Sequence, residues 1–213
     1  MNKSILLGLL LACLPLRPMM AQGHWSDSLN YKTPSLLAIG GGIGLLAPFH
    51  RMQTRLYSNT FDGVRTHIDD ISQYAPALWY LHLSLKKPEQ SADHLYRFGL
   101  GTITYAGATF ALKRIINVER PNGGEHSFPS GHTATVFFGA HLLVKTFYPE
   151  DLKMKYLAYG VATGTGFLRM VNNEHWAGDV LMGAAVGIAS AELTHYFYPK
   201  LKAWYRHQRA ISK

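Results

Sequence analysis

The stretch "HSFPSGHTATVFFGAHLLV", residues 126–144, joins a Pro-Ser-Gly turn to an apolar run that reads as a helix from Thr133 to Val144. Gly131 has no side chain and lets the backbone turn sharply. The amides of Ser130, Gly131 and His132 are then expected to open the helix, where unpaired N–H groups bind anions. His132 stands at this positive end, positioned to donate a proton to an oxygen leaving the anion. Ser130 is placed to cap the helix, to contact the anion, or both. Taken alone, such a turn is as well explained as a plain helix cap.

Working outward from this helix, apolar segments lie at 36–49, 72–85, 99–116, 133–147, 156–168 and 178–198. Five of them read as helices by length and by their Ala, Leu and Gly content. The first contains "AIGGGIGLLAP" (38–48) and is a poorer helix former. The polar stretches "KKPEQSADH" (86–94) and "YPEDLKMK" (148–155) read as turns or caps between helices. No strand-like alternation is sustained, nothing repeats and nothing is of low complexity. The expected architecture is therefore an all-α bundle of five to six core helices in a single domain.

The totals narrow the partners. The chain has 213 residues, 47% hydrophobic and 16% charged, and 21 Lys+Arg against 13 Asp+Glu give a formal charge of +8. That excess favours anionic partners. No basic stripe interleaved with aromatic residues is present, which argues against nucleic acid. The mean hydropathy of -0.03 is polar for a multi-span membrane protein. The first residues, "MNKSILLGLLLACLPLRPMMAQG", place Lys3 before an apolar run from Ile5 to Leu16 and end on small residues, as a secretory signal does. Cleavage is expected after Ala21, leaving a domain over 22–213. Cys13, the only cysteine, would go with the signal; "LLAC" (10–13) also resembles a lipoprotein processing site, with Cys13 as the lipidated residue.

If segments two to six all cross a membrane, Lys86, Lys87, Lys153, Lys155, Lys200, Lys202, Arg206, Arg209 and Lys213 fall on one side. The positive-inside tendency makes that side cytoplasmic and puts 117–132 and 169–177 in the periplasm. This arrangement requires that the glycine-rich first segment does not traverse. A soluble helical bundle behind the signal is the alternative.

Two further stretches stand at helix ends on the same outer side as "PSGH" (129–132). In "KRIINVERP" (113–121), Lys113 and Arg120 are seven residues apart, expected on one face of a helix that Pro121 stops. Two cations facing one way suit an oxyanion, although solvated basic residues at a helix end look the same. In "RMVNNEHWAGD" (169–179), His175 and Asp179 are four apart, so the carboxylate can accept the proton of one ring nitrogen and leave the other as a free lone pair. That is how a histidine nucleophile is oriented, and it is also a common surface hydrogen bond. Arg169 adds a third cation with a planar fork.

Lys-x6-Arg-Pro, Pro-Ser-Gly-His and Arg-x5-His-x3-Asp, in that order, closely resemble the signature of the type 2 phosphatidic acid phosphatase (PAP2) superfamily. That superfamily includes lipid phosphate phosphatases, class A bacterial acid phosphatases and vanadium haloperoxidases. The resemblance covers residues 113–179 and implies a metal-independent phosphatase without a cofactor. Lys113, Arg120 and Arg169 would hold the phosphate, helped by Ser130 and the Gly131 amide. His175 would be the nucleophile, Asp179 its orienter and His132 the general acid. Leu168 stands where the family often has serine, which removes one phosphate contact. No Cys/His cluster or Asp-rich loop with ligand spacing is present to suggest a metal. The implied substrate is a phosphorylated membrane lipid such as lipid A or an isoprenyl or phosphatidyl phosphate, met on the periplasmic side. A soluble secreted acid phosphatase is the alternative, and no protein partner is implied.

Overall fold

The computed structural model describes residues 29–61 and 63–211. The expected signal segment, with Cys13 and Ala21, lies outside the described residues. Those described form helices α1 (Lys32–Gly44), α2 (Ala47–Thr60), α3 (Ile68–Ser72), α4 (Ala75–Leu85), α5 (Pro88–Ile115), α6 (Gly131–Phe147), α7 (Leu152–Val171) and α8 (Ala177–Ile211). No strand occurs among them, in keeping with the all-α expectation.

Helix α6 is the hub. It packs against α8, α7, α4 and α5, and its Phe138 and Leu142 are fully buried with Tyr80 of α4, Ala162 of α7 and Ala191 of α8. Small residues let the backbones close: a Cβ on Gly183 of α8 would lie 2.5 Å from the Ser130 carbonyl oxygen at the start of α6. This is how helix pairs pack where apolar surface faces lipid and close contact replaces the hydrophobic drive.

The glycine-rich first segment is helical after all, and the reason is packing. Gly44 meets Gly178 so closely that an added Cβ would sit 2.6 Å from the Gly178 Cα, and one on Gly178 would lie 2.9 Å from the Gly41 carbonyl oxygen. The intimate α1–α8 crossing overrides the poor intrinsic propensity of these glycines. The segment does not run on to residue 49: Leu46 turns extended, and a second helix starts at Ala47 with Pro48 in its first turn. In the same way "KKPEQSADH" is mostly helix, because Pro88 opens α5 instead of ending a turn. "YPEDLKMK" does contain a cap, with Asp151 accepting from the Met154 amide at 3.1 Å.

Among the described residues one helix, α8, is long and apolar enough by length and composition to span a bilayer, and more than half of its apolar stretch is buried in the bundle. At 1.5 Å per residue the 13 residues of α1 reach roughly 20 Å, short of a hydrocarbon core. Large apolar side chains nevertheless stand exposed on neighbouring helices, among them Leu78 and Trp79 of α4, Ile103 and Phe110 of α5, Leu157 of α7 and Phe197 of α8.

Candidate active site

The ends of α5, α6, α7 and α8 meet at one end of the bundle. Helix α5 stops at Ile115, five residues before Arg120, so Lys113 and Arg120 do not share a helical face as their spacing suggested. The Ile-Ile-Asn-Val run favours helix weakly, and Pro121 bars Arg120 from helical geometry. Arg120 instead lies in a loop that folds back on itself, its amide donating to the Gly124 carbonyl at 2.7 Å. From the helix end, Lys113 Nζ reaches the same loop and donates to the carbonyls of His126 (2.6 Å) and Ser127 (3.3 Å).

Ser130 caps α6. Its Oγ accepts from the Thr133 amide at 3.4 Å and the Thr133 hydroxyl at 2.9 Å, and the residue is fully buried. Its amide donates to the Asp179 carbonyl at 3.0 Å. The Ser130 amide is thus engaged while its Oγ serves the cap as acceptor, and of the three amides expected to open the site only those of Gly131 and His132 remain without a backbone acceptor. His132, one residue into α6, places Nε2 3.0 Å from Asp70 Oδ1.

Helix α7 ends in a Schellman motif, which sets the path of the chain into α8. Asn173 takes a left-handed conformation (φ 59), the one region beyond glycine that asparagine tolerates well. The Asn173 amide donates to Met170 O and the Glu174 amide to Arg169 O, both at 3.1 Å. This reversal brings His175 back over Arg169, whose carbonyl also accepts from the His175 amide at 3.3 Å. Gln53 of α2 then pins the connection between α7 and α8. Its Nε2 donates to the His175 carbonyl at 2.9 Å, and its Oε1 accepts from the Ala177 amide at 2.8 Å. Between these two bonds the Trp176 ring stacks on His50 with centroids 4.1 Å apart.

Asp179 sits in the first turn of α8 and reaches back to the Trp176 amide at 2.8 Å, half of a capping box. The same Oδ2 accepts a short hydrogen bond from Ser127 Oγ and lies 3.4 Å from His175 Nδ1. Ser127 Oγ is also 3.4 Å from Nδ1, so that nitrogen faces two oxygens at the long end of hydrogen-bond range. With its proton on Nδ1, the ring carries a lone pair on Nε2, which bonds to no described residue. His175 is 2% exposed. Burial, aided by the charges of Arg169 and Lys113 and opposed by Asp179, holds its pKa down at about 4. At that pKa the ring is neutral at pH 7.

Arg169 is almost buried and held from two sides. Its NH1 donates to Asp69 Oδ2 at 2.6 Å and lies 3.8 Å from Asp70 Oδ1, while NH2 is 3.6 Å from Glu174 Oε2. That glutamate oxygen also takes Arg120 NH1 at 2.5 Å. The expected groups thus converge: Arg120 and Arg169 meet through Glu174, Lys113 and His175 through Ser127, and His132 and Arg169 through Asp70. Burial and Arg169 lower the pKa of His132, and Asp70 pushes the other way. Asp69, Asp70 and His132 bring ligand atoms within 4.8 Å of one another. In this structure Asp69 is engaged by Arg169 and Asp70 by His132, so the set reads as the anionic support of a cation and a histidine. Asp69, Asp70, Ser127, Glu174 and Gln53 carry no motif that singles them out in the sequence.

Residues 113–203 match the PAP2 superfamily. Over that stretch the chain is similar to PAP2-superfamily proteins. The matched region contains every site residue expected from the sequence, whereas α2 and α3, which supply Gln53, Asp69 and Asp70, precede it. The chain is 38% identical over 136 residues to the lipid A 1-phosphatase of Porphyromonas gingivalis, 62% of this chain but 31% of that protein. It therefore spans about a third of the length of that curated relative. In fold it is similar to Aquifex aeolicus LpxE, with a TM-score of 0.50 at 21% identity over 66% of this chain and 92% of that one. It is also similar to the first transmembrane PAP2-type phosphatidylglycerolphosphate phosphatase from Bacillus subtilis, with a TM-score of 0.58 at 19% identity over 79% and 96% of the two chains. Both likenesses carry the fold, a PAP2-type helical bundle.

Proposed function

We propose that this chain is a phosphatase that hydrolyses a phosphate monoester or diphosphate of a membrane lipid, through a phosphohistidine on His175 and on the periplasmic side. The observation that carries the reading is the buried His175, with Nδ1 facing Asp179 Oδ2 at 3.4 Å and Nε2 bonded to no described residue, at the helix ends where Lys113, linked through Ser127, and the Arg120–Glu174–Arg169 cluster converge. In the first displacement His175 Nε2 bonds to phosphorus while the ester P–O bond breaks. His132 gives its proton to the departing alcohol oxygen. Because Nε2 of His132 faces Asp70, Nδ1 is the nitrogen left to deliver that proton. In the second displacement the now neutral His132 takes a proton from water, whose oxygen attacks phosphorus and releases phosphate and His175. Lys113, Arg120, Arg169 and the Gly131 and His132 amides stabilise the equatorial oxygens throughout.

His132 must be protonated at the outset although the empty site lowers its pKa. A phosphate dianion arriving among these groups supplies the negative charge that restores it. A lipid substrate is supported by the apolar side chains exposed on α4, α5, α7 and α8, by the span-length α8, and by relatives whose names specify lipid substrates. Phosphate release by detergent-solubilised protein from lipid A, undecaprenyl diphosphate, phosphatidylglycerol phosphate and an aryl phosphate, with and without a chelator, tests this reading. Release from one of the lipids, undiminished by the chelator, is expected. Release from the aryl phosphate alone, by protein that leaves the cell on osmotic shock, would replace it with a soluble acid phosphatase.

A further inference from the structure

In a Schellman motif the residue after the left-handed position usually makes an apolar contact with the residue five before it. Here that pair is Glu174 and Arg169, and the contact is ionic, at 3.6 Å. The same Glu174 oxygen lies 2.5 Å from Arg120 NH1. One carboxylate oxygen therefore sits between the two guanidinium groups assigned above to the phosphate. Asp69 holds Arg169 by its other nitrogen, NH1, so the arginine is anchored without Glu174. The Glu174 side chain is 26% exposed, against 1% for Asp69.

We propose that Glu174 is an internal anion that occupies Arg120 and Arg169 in the empty site and competes with phosphate for them. The proposal rests on the phosphatase reading of the pocket and deepens it. A phosphate dianion that takes both guanidinium forks must displace the carboxylate or lie beside it, and either weakens its hold. Free phosphate, with no other source of binding, is then released readily. A lipid ester bears the same cost but retains the attraction of its apolar tail, so the site favours ester over product. Glu174 thus sets how readily product phosphate leaves: its charge works against any phosphate in the site, and the apolar tail supplies the preference for ester.

Orthophosphate binding to the detergent-solubilised full chain, measured by calorimetry for wild type, Glu174→Gln and Glu174→Ala, tests this. Removing one partly exposed and screened charge a few ångströms from the ion should tighten binding about tenfold in both variants. Product inhibition of lipid hydrolysis should strengthen by a similar factor, with KM and kcat both falling as release slows. If Glu174 merely positioned the arginines, both variants would bind phosphate more weakly, the opposite sign. Wild-type binding that neither variant tightens overturns this proposal alone. No binding by any of the three proteins overturns the phosphate-site reading, and the proposal with it.

Discussion

Two buried histidine–carboxylate pairs in this chain differ in one respect that separates reactivity from support. His141 of α6 is fully buried, with Nε2 2.7 Å from Glu192 Oε1 of α8 and Nδ1 2.6 Å from the Tyr159 hydroxyl of α7. Glu192 is in turn held by Lys145 at 2.6 Å and by the Asn30 amide at 3.1 Å. Every ring nitrogen there has a close partner, and the network ties three helices together. His175 is almost as buried, yet its carboxylate stands at 3.4 Å, shares its oxygen with Ser127 and the Trp176 amide, and leaves Nε2 without a partner among the described residues. A saturated pair cements a core. A loosely oriented pair with one open lone pair, placed at helix ends among cations, is arranged for chemistry.

The sharpest way to break this contrast is to remove each histidine. His175→Ala should lower kcat by about 10⁴-fold or more with little change in unfolding, since it deletes the nucleophile. His141→Ala should do the reverse, leaving kcat within about tenfold and costing roughly 3 kcal/mol of stability in micelles, because Glu192 and Lys145 lose a member of a buried network. Equal loss of activity from both would erase the distinction.

His132→Ala should cost about 10²- to 10⁴-fold on a lipid phosphate. It should cost far less on an aryl phosphate, whose leaving group needs no proton. The wild-type profile of kcat/KM should be bell-shaped. Below about pH 4 His175 gains a proton and loses its lone pair; on the alkaline side His132 loses its proton below its ordinary value of 6.5. For kcat the alkaline limb should lie higher, because bound phosphate raises the His132 pKa.

The smallest effect sought is that of Asp70→Asn. Asp70, itself held as a carboxylate by hydrogen bonds from His67 and His132, raises the His132 pKa, so its loss should move the alkaline limb to lower pH. A loss of roughly tenfold at neutral pH is expected. An unmoved limb would reduce Asp70 to a structural contact.

The core helices were legible because apolar periodicity and length survive in a single sequence. The helicity of Lys32–Gly44 was not, since it depends on Gly44 meeting Gly178 some 130 residues away. The separation of Arg120 from α5 was hidden for the converse reason: seven-residue spacing mimics two helical turns even where β-branched residues and Pro121 end the helix early. The motif residues announced themselves by spacing to neighbours of complementary chemistry. Asp69 and Asp70 left only an acidic doublet in "HIDDISQ" (67–73), Ser127 and Glu174 only adjacency to a motif, and Gln53 no signal. Their roles arise from long-range contacts, Arg169 to Asp69 and His175 to Gln53, that local pattern does not encode.

The account stands most directly on where phosphorus becomes covalently attached. Protein mixed with a ³²P-labelled lipid substrate, quenched in alkali within one turnover and digested, should yield one acid-labile labelled peptide with phosphate on His175. Turnover that proceeds with His175 unlabelled, or label on another residue in its place, would contradict it.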